Sequence, residues 1–514
     1  MSQIPTAAGS TDISSATVPA RMPDPGSRGA RFIAFLAVCL LVPTVVFFQQ
    51  CEGGLKPSPA SASASVTTEK LSDFDQFSIA GRVVLKIAQL TKGGDAAQRD
   101  QLLETMDPTK SSLMGPPHVG LTDRVRFAIA AGELKGGEDA ISKLDAIDFQ
   151  KEASEWKLAP GLVGEEIDKS RSEHAAAVAE LRHDAETLKL IYAGKETEIP
   201  GEDEARLLDR QGWWGRVATA YGKGDRDPMR LDTLGGGGQL LAAFIVFGVL
   251  IGGGILAGFA LAIVMLVLIS QGKIRRKFVA PIPGGSVYLE TLAIFVLGFV
   301  SLALVKFASG SPAAALLAQW ALVPLILWPL LRGVPWGSFR RAMGFTSGGG
   351  VFREIGCGIF GYLAGLPLFL FATLVALLLV MLQGLVMAGP DAHAPVPENK
   401  VLDLITKADT GTLVLFFCLA TFWAPLVEES VFRGAFFRHL RSRVPMVVAA
   451  LGSTAVFGLM HGYPIPLLLP VMTLGFNFAL MREWRGSLIA PITAHLLHNG
   501  TLVGMMVTVM SAIR

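Results

Sequence analysis

Three short stretches in the last third of the chain hold residues that can do chemistry together. The first is Ala424-Pro-Leu-Val-Glu-Glu-Ser-Val-Phe-Arg-Gly434, the second Phe457-Gly-Leu-Met-His461, and the third His495-Leu-Leu-His-Asn499. Each lies in an apolar run, where ionisable groups are costly and are kept mainly for function. Glu429 and Arg433 stand four apart with the acid first, the favourable order for an ion pair on one helical face. Glu428 points about 100° away on the same helix and lacks that partner. An unpaired carboxylate of this kind can serve as a general base. Phe457 and His461 share a face, as do His495 and Asn499, with His498 beside them. Two or three imidazoles and one amide can therefore meet two carboxylates inside a helical bundle.

Plainer readings exist for each piece. A Glu–Arg pair can be a fold-specifying ion pair, and a lone histidine in an apolar helix is often hydrogen-bonded to a carbonyl. His498, and His439 in a basic loop, are best read that way, and Asn477 as a bond to another helix. The joint occurrence of the three stretches is what points to catalysis. A transporter or channel with a Glu/Arg/His intramembrane site is the alternative, and a catalytically silent scaffold a third reading. The inverted hydropathy repeat expected of many transporters is not visible.

The elements that must position these residues are transmembrane helices. Of 514 residues, 51% are hydrophobic and only 17% charged. The apolar residues fall in runs of about twenty, the length that crosses a bilayer. Net charge is +2, which gives no reason to expect a nucleic-acid partner. The four cysteines show no metal or disulfide spacing. The predicted fold is all-α: a polytopic helical membrane bundle with an added, mostly helical extramembrane domain. Residues 1–31 read as a disordered cytoplasmic tail, 32–50 as an uncleaved anchor, 51–68 as a linker, and 69–235 as a polar helical domain. Helical spacing is evident at Asp95–Met106, Asp123–Leu134 and Ser172–Ala193. Membrane spans fill 239–350, and the catalytic membrane domain covers 351–512.

Beyond the anchor, spans are expected near 240–270, 287–308, 313–331, 355–388, 411–433, 445–461, 465–481 and 488–511. Basic clusters follow every second one: Lys273–Lys277, Arg332 with Arg340 and Arg341, Arg438 with Arg441 and Arg443, and Arg482 with Arg485. Nine spans with the N-terminus inside put all of them on the cytoplasmic face and residues 51–235 outside, with the bacterial inner membrane as the expected location. One tension follows. With its span ending at 433, Glu428 lies near the cytoplasmic face, whereas His461 lies about 24 Å and His495 about 10 Å into theirs.

The three stretches together resemble the CPBP family, which includes the type II CAAX prenyl proteases. Its pattern of paired glutamates with an arginine four after the second, then Phe-x-x-x-His, then His-x-x-x-Asn, stands here as Glu428-Glu429-x-x-x-Arg433, Phe457-x-x-x-His461 and His495-x-x-x-Asn499. The resemblance covers about residues 350–512. It implies an intramembrane endopeptidase acting on a membrane-embedded or lipidated protein. In that scheme Glu428 activates water, aided by His461. His495 and Asn499 stabilise the oxyanion, and Glu429 and Arg433 hold the helix and tune Glu428. Family members are often labelled metalloproteases, although a metal-free glutamate mechanism is also argued. Glu428, His461 and His495 would be the ligands of a zinc ion if one is bound, but the absence of His-Glu-x-x-His leans against a tightly held metal. The outer domain is expected to bind substrate or a regulator.

Overall fold

A computed structural model describes residues 23–54, 75–91, 95–109, 120–154, 164–309, 311–387, 404–405 and 408–513. Among them all regular structure is helical. The elements that matter here are α1 (Arg28–Gly54), α2 (Gln76–Ala88), α3 (Leu121–Lys135), α4 (Glu165–Tyr192), α5 (Trp213–Thr219), α6 (Gly237–Ser270) and α7 (Val287–Ser309). They continue with α8 (Trp336–Met343), α9 (Val351–Met387), α10 (Thr410–Arg441), α11 (Met446–Leu459), α12 (Leu468–Arg485) and α13 (Ile489–Ile513).

Among the described residues, seven helices are long and apolar enough to cross a membrane, and α11 and the first part of α7 are shorter apolar helices. These nine fall where the apolar runs predicted spans. Their outer faces stay exposed because lipid, not water, is the solvent there. In α6 and α9 only 11% of the most apolar window is buried, against 33% in α10 and 39% in α12. The most enclosed helices are thus α10, which carries the paired glutamates, and α12, which packs beside it.

The polar unit before α6 has its own core around Trp213 and Trp214 of α5, both fully buried, with Val125 of α3 and Leu181 and Leu188 of α4. Asp75 caps α2 by accepting from the Ser78 amide at 2.7 Å, the usual way to satisfy a first-turn donor. Its carboxylate also pairs with buried Arg126. The Trp214 indole N–H donates to Ser78 Oγ at 2.9 Å. A Cβ at Gly81 would come within 2.5 Å of the Trp214 ring, so a glycine is what lets α2 lie this close.

The basic clusters gather at one end of the bundle. There Arg441 pairs with Glu483 at 2.9 Å, Arg485 with Glu354 at 2.6 Å, and the Lys277 amide donates to the Glu483 carbonyl at 3.1 Å. The N-terminal segment ends here too. Asp24 pairs with Arg438 at 2.7 Å, and the Pro25 carbonyl accepts from the Ser286 amide at 2.9 Å. The expectation of a disordered tail through residue 31 therefore fails from Pro23 onward, because the Asp24–Arg438 pair and the Pro25 carbonyl anchor this stretch. Residues 1–22 and linker residues 55–68 lie outside the described residues. At the other end, Arg82 and Lys86 of α2 donate to the carbonyls of Ile513 and Ala512 at 3.1 and 3.2 Å, so the polar unit sits on the last turn of α13.

Candidate active site

Helix α10 is not a regular α-helix. Two π-helical turns, Leu419–Trp423 and Ser430–Phe436, flank the segment Ala424–Glu429. Wide turns of this kind tend to occur at functional sites. The first has a cause in the sequence. The Ala424 amide bonds to the Leu419 carbonyl, five residues back, so the next such bond would run from residue 425 to the Ala420 carbonyl. Residue 425 is proline and has no N–H. The stranded Ala420 carbonyl accepts from the Asn499 side-chain amide of α13 at 2.8 Å. In the second wide turn the Phe432 carbonyl accepts from Ser453 Oγ of α11 at 3.1 Å, and the Arg433 carbonyl from buried Arg482 of α12 at 3.4 Å. Side chains of three neighbouring helices thus hold the two turns. Because α10 runs on to Arg441, Glu428 lies about 20 Å from its basic end, close to the depth expected for His461, which a span ending at 433 did not allow.

The central chain of contacts runs Arg433–Glu429–His495–Glu428. Arg433 and Glu429 are fully buried and pair at 2.9 Å. The same Glu429 oxygen accepts from His495 Nδ1 at 3.0 Å. With Nδ1 so engaged, Nε2 faces the other carboxylate, 3.9 Å from Glu428 Oε2. That oxygen has no hydrogen-bond partner among the described residues, and the Glu428 side chain is 20% exposed. Glu429 is thus held through one oxygen by both Arg433 and His495, whereas Glu428, partly exposed as a side chain, keeps Oε2 enclosed and facing only the imidazole. Aromatic faces surround the charges. The Arg433 guanidinium lies 4.3 Å from the Phe457 ring centre and 5.4 Å from that of Phe478, a cation–π arrangement.

His461 follows the last turn of α11, with Nδ1 2.8 Å from the Phe457 carbonyl; among the described residues no hydrogen bond engages its Nε2. Its ring meets Phe457 at 4.7 Å, and Phe457 meets His495 at 6.1 Å. Both imidazoles therefore pack on one phenyl ring. His498 packs instead against Tyr362 and Phe369, away from the carboxylates. Asn477 donates to the Gly361 carbonyl of α9 at 3.0 Å, the interhelical bond expected of it.

The conditional zinc set does not come together. His495 and Glu428 approach each other, but among the described residues no group of three His, Cys, Asp or Glu side chains converges to hold a metal ion. His461 is the donor that falls short, its Nδ1 tied to the Phe457 carbonyl.

With the site in place, similarity to known proteins can be set beside it. Residues 410–501 match the family model of the type II CAAX prenyl endopeptidase Rce1-like proteins. No curated protein and no solved structure matches the chain. The matched segment begins at the first residue of α10 and ends two residues after Asn499, so it contains all three motif stretches, with α10, α11 and the first half of α13. The polar unit and the helices before α10 lie outside it. Sequence reasoning did not single out Gly475 and Phe478 of α12, which face Arg433 and His495. A glycine and a phenylalanine in an apolar helix give no signal by type; only the packing of α12 on α10 exposes them.

Proposed function

We propose that this chain is an intramembrane endopeptidase that cleaves a membrane-associated or lipid-anchored protein by way of a glutamate-activated water. The observation that carries the reading is the asymmetry of the adjacent glutamates: Glu429 is buried between Arg433 and His495, while Glu428 presents an unpartnered oxygen 3.9 Å from His495 Nε2. A separation of that size closes through one water or a small side-chain rotation.

The water loses a proton to Glu428 as its oxygen attacks the scissile carbonyl carbon. His495 donates from Nδ1 to Glu429, and its Nε2 edge faces the developing oxyanion. One Asn499 N–H holds Ala420; the other is left for the same oxyanion. Donors set in place in a dry site contribute about 3 kcal/mol each in soluble enzymes. His461 Nε2 is free to orient the water. When the tetrahedral intermediate collapses, the C–N bond breaks, and Glu428 passes its proton to the departing amine, leaving a carboxylic acid, which keeps the second water proton, and an amine. No step is routed through a metal. The same orientation puts the basic end of the bundle in the cytoplasm and the polar unit outside, where it can receive substrate or a regulator.

The test is cleavage in isolated membranes carrying Glu428→Ala, His461→Ala or His495→Ala, followed by mass spectrometry. Loss of specific membrane-protein fragments at unchanged enzyme level is expected in all three. Wild-type fragments in all three would remove the peptidase reading, and loss of solute uptake instead would favour a transporter.

A further inference from the structure

Helix α12 supplies none of the motif residues, yet two of its residues lie directly against the charged chain. Phe478, 1% exposed, stacks on His495 with ring centres 5.1 Å apart and planes at 25°. The same ring lies 5.4 Å from the Arg433 guanidinium carbon. One turn earlier, a Cβ at Gly475 would stand 2.7 Å from Arg433 Nη2 and 3.1 Å from Phe457. Gly475 therefore makes the room in which the guanidinium lies, and Phe478 closes it from the side of His495.

We infer that Phe478 is a positioning residue for the catalytic imidazole, and that Gly475 is required to seat the arginine behind it. The geometry gives the reason. The Glu429–His495 hydrogen bond fixes which ring nitrogen carries the shared proton, but one hydrogen bond leaves the ring free to swing about it. Stacking fixes the ring plane, and with it the direction in which Nε2 points. Phe457 meets His495 only at 6.1 Å and edge-on, at 84°, so it cannot set the plane by stacking. The Phe478 face holds Arg433 and His495 in one orientation, so the ion pair behind the imidazole and the imidazole itself are aligned by a single side chain. Aromatic pairs of this geometry contribute beyond their buried area.

The inference rests on the peptidase reading for its functional meaning, but its test needs no substrate. Full-length protein with 15N-labelled histidine in lipid bilayers is examined by solid-state NMR, with the His495 signals assigned by their loss in His495→Asn. The wild-type ring is expected as a single, ordered species with Nδ1 hydrogen-bonded. Phe478→Leu is expected to give two or more ring states or a mobile ring, while Phe478→Tyr, which keeps the face, restores one. Phe369→Leu removes a similar volume beside His498 without touching His495 and is expected to leave the signal unchanged. If Phe478→Leu fails to fold, Phe478→Met fills the space with a longer, adaptable chain and still lacks the face. A single ordered His495 species in Phe478→Leu or Phe478→Met, with only thermal stability lowered, overturns the inference. So does equal disturbance by Phe369→Leu. Where cleavage is measurable, Phe478→Leu is expected to lower kcat about three- to tenfold with KM unchanged. Wild-type fragments in Glu428→Ala, His461→Ala and His495→Ala alike sink the peptidase reading and leave the NMR result standing.

Discussion

At the scale of single residues, the two glutamates behave as opposites despite being neighbours. Glu429 neutralises Arg433 inside the bundle, and breaking such a pair strands a buried charge at a cost of about 3–5 kcal/mol. Glu429→Gln is therefore expected to lower folded yield and thermal stability sharply. Glu428 Oε2 bonds to nothing among the described residues, so Glu428→Gln should leave thermal stability nearly unchanged while cleavage falls by about 10²–10⁴-fold, the usual worth of a general base. Thermal unfolding in detergent and fragment yield from membranes measure the two effects. Equal loss of stability in both variants would show that the residues form one structural pair. A metal-ion chelator is expected to leave cleavage within about twofold, because the candidate donors do not converge. Loss restored by zinc would show that His461 joins a site assembled only with substrate. At this scale much was legible. The four-residue spacing predicted the Glu429–Arg433 contact and the unpaired state of Glu428. The bond from His495 to Glu429 was not legible, since it depends on which face of α13 meets α10 and spacing within one helix carries no such information.

At the scale of elements, α10 acts as a helix with two wide turns that neighbouring helices hold open. The turns place Glu428 and Glu429 between segments whose carbonyls are satisfied from outside, by Asn499, Ser453 and Arg482. Asn499→Ala leaves the Ala420 carbonyl unpaired in a bilayer interior and is expected to cost about 1–3 kcal/mol. The double variant Asn499→Ala/Pro425→Ala supplies an N–H to that region and should recover much of the stability without recovering cleavage, because the oxyanion donor is still missing. Thermal unfolding and membrane cleavage of the single and double variants separate the two roles of Asn499. Recovery of both would reduce Asn499 to a helix clamp. Proline at 425 was visible in the sequence, but its effect was not, because a proline in a membrane helix can be met by a kink, a water or a wide turn. The end of the span was misplaced for a related reason: Arg438 and Arg441 look like a cytoplasmic flank, yet their partners Asp24 and Glu483 let the helix continue past them.

At the scale of the whole molecule, the polar unit meets the helix bundle through apolar contacts of α2 with α6 and α13 and through two hydrogen bonds that no sequence pattern signals. Arg82 and Lys86 lie on α2, over four hundred residues from their acceptors, and both are buried, at 1% and 3% exposure. The last carbonyls of a helix have no partners within it and carry partial negative charge, so cations at that end are favoured. Here the cations come from another part of the chain, and they cap the helix that bears His495 and Asn499. Arg82 is further held over the Trp213 ring at 4.9 Å, which ties the cap to the core of the polar unit. His495 is about 27 Å from Ile513 along α13, far enough that the cap does not touch the site but on the same rigid element. Hydrogen bonds from charged donors are worth about 1.5–3 kcal/mol each, so Arg82→Met with Lys86→Met should raise amide exchange in α2 and the last two turns of α13 by about tenfold or more. Exchange around Ser430–Phe436, held by separate bonds from α11 and α12, should not change. Hydrogen exchange read by mass spectrometry on the full-length protein in bilayers distinguishes the regions. If exchange in the last turns of α13 is unmoved, the polar unit is fixed to the bundle by its contacts with α6 instead; if exchange rises across α10 as well, the cap and the site are parts of one cooperative unit, and the polar unit can govern catalysis by loosening or tightening its hold on α13.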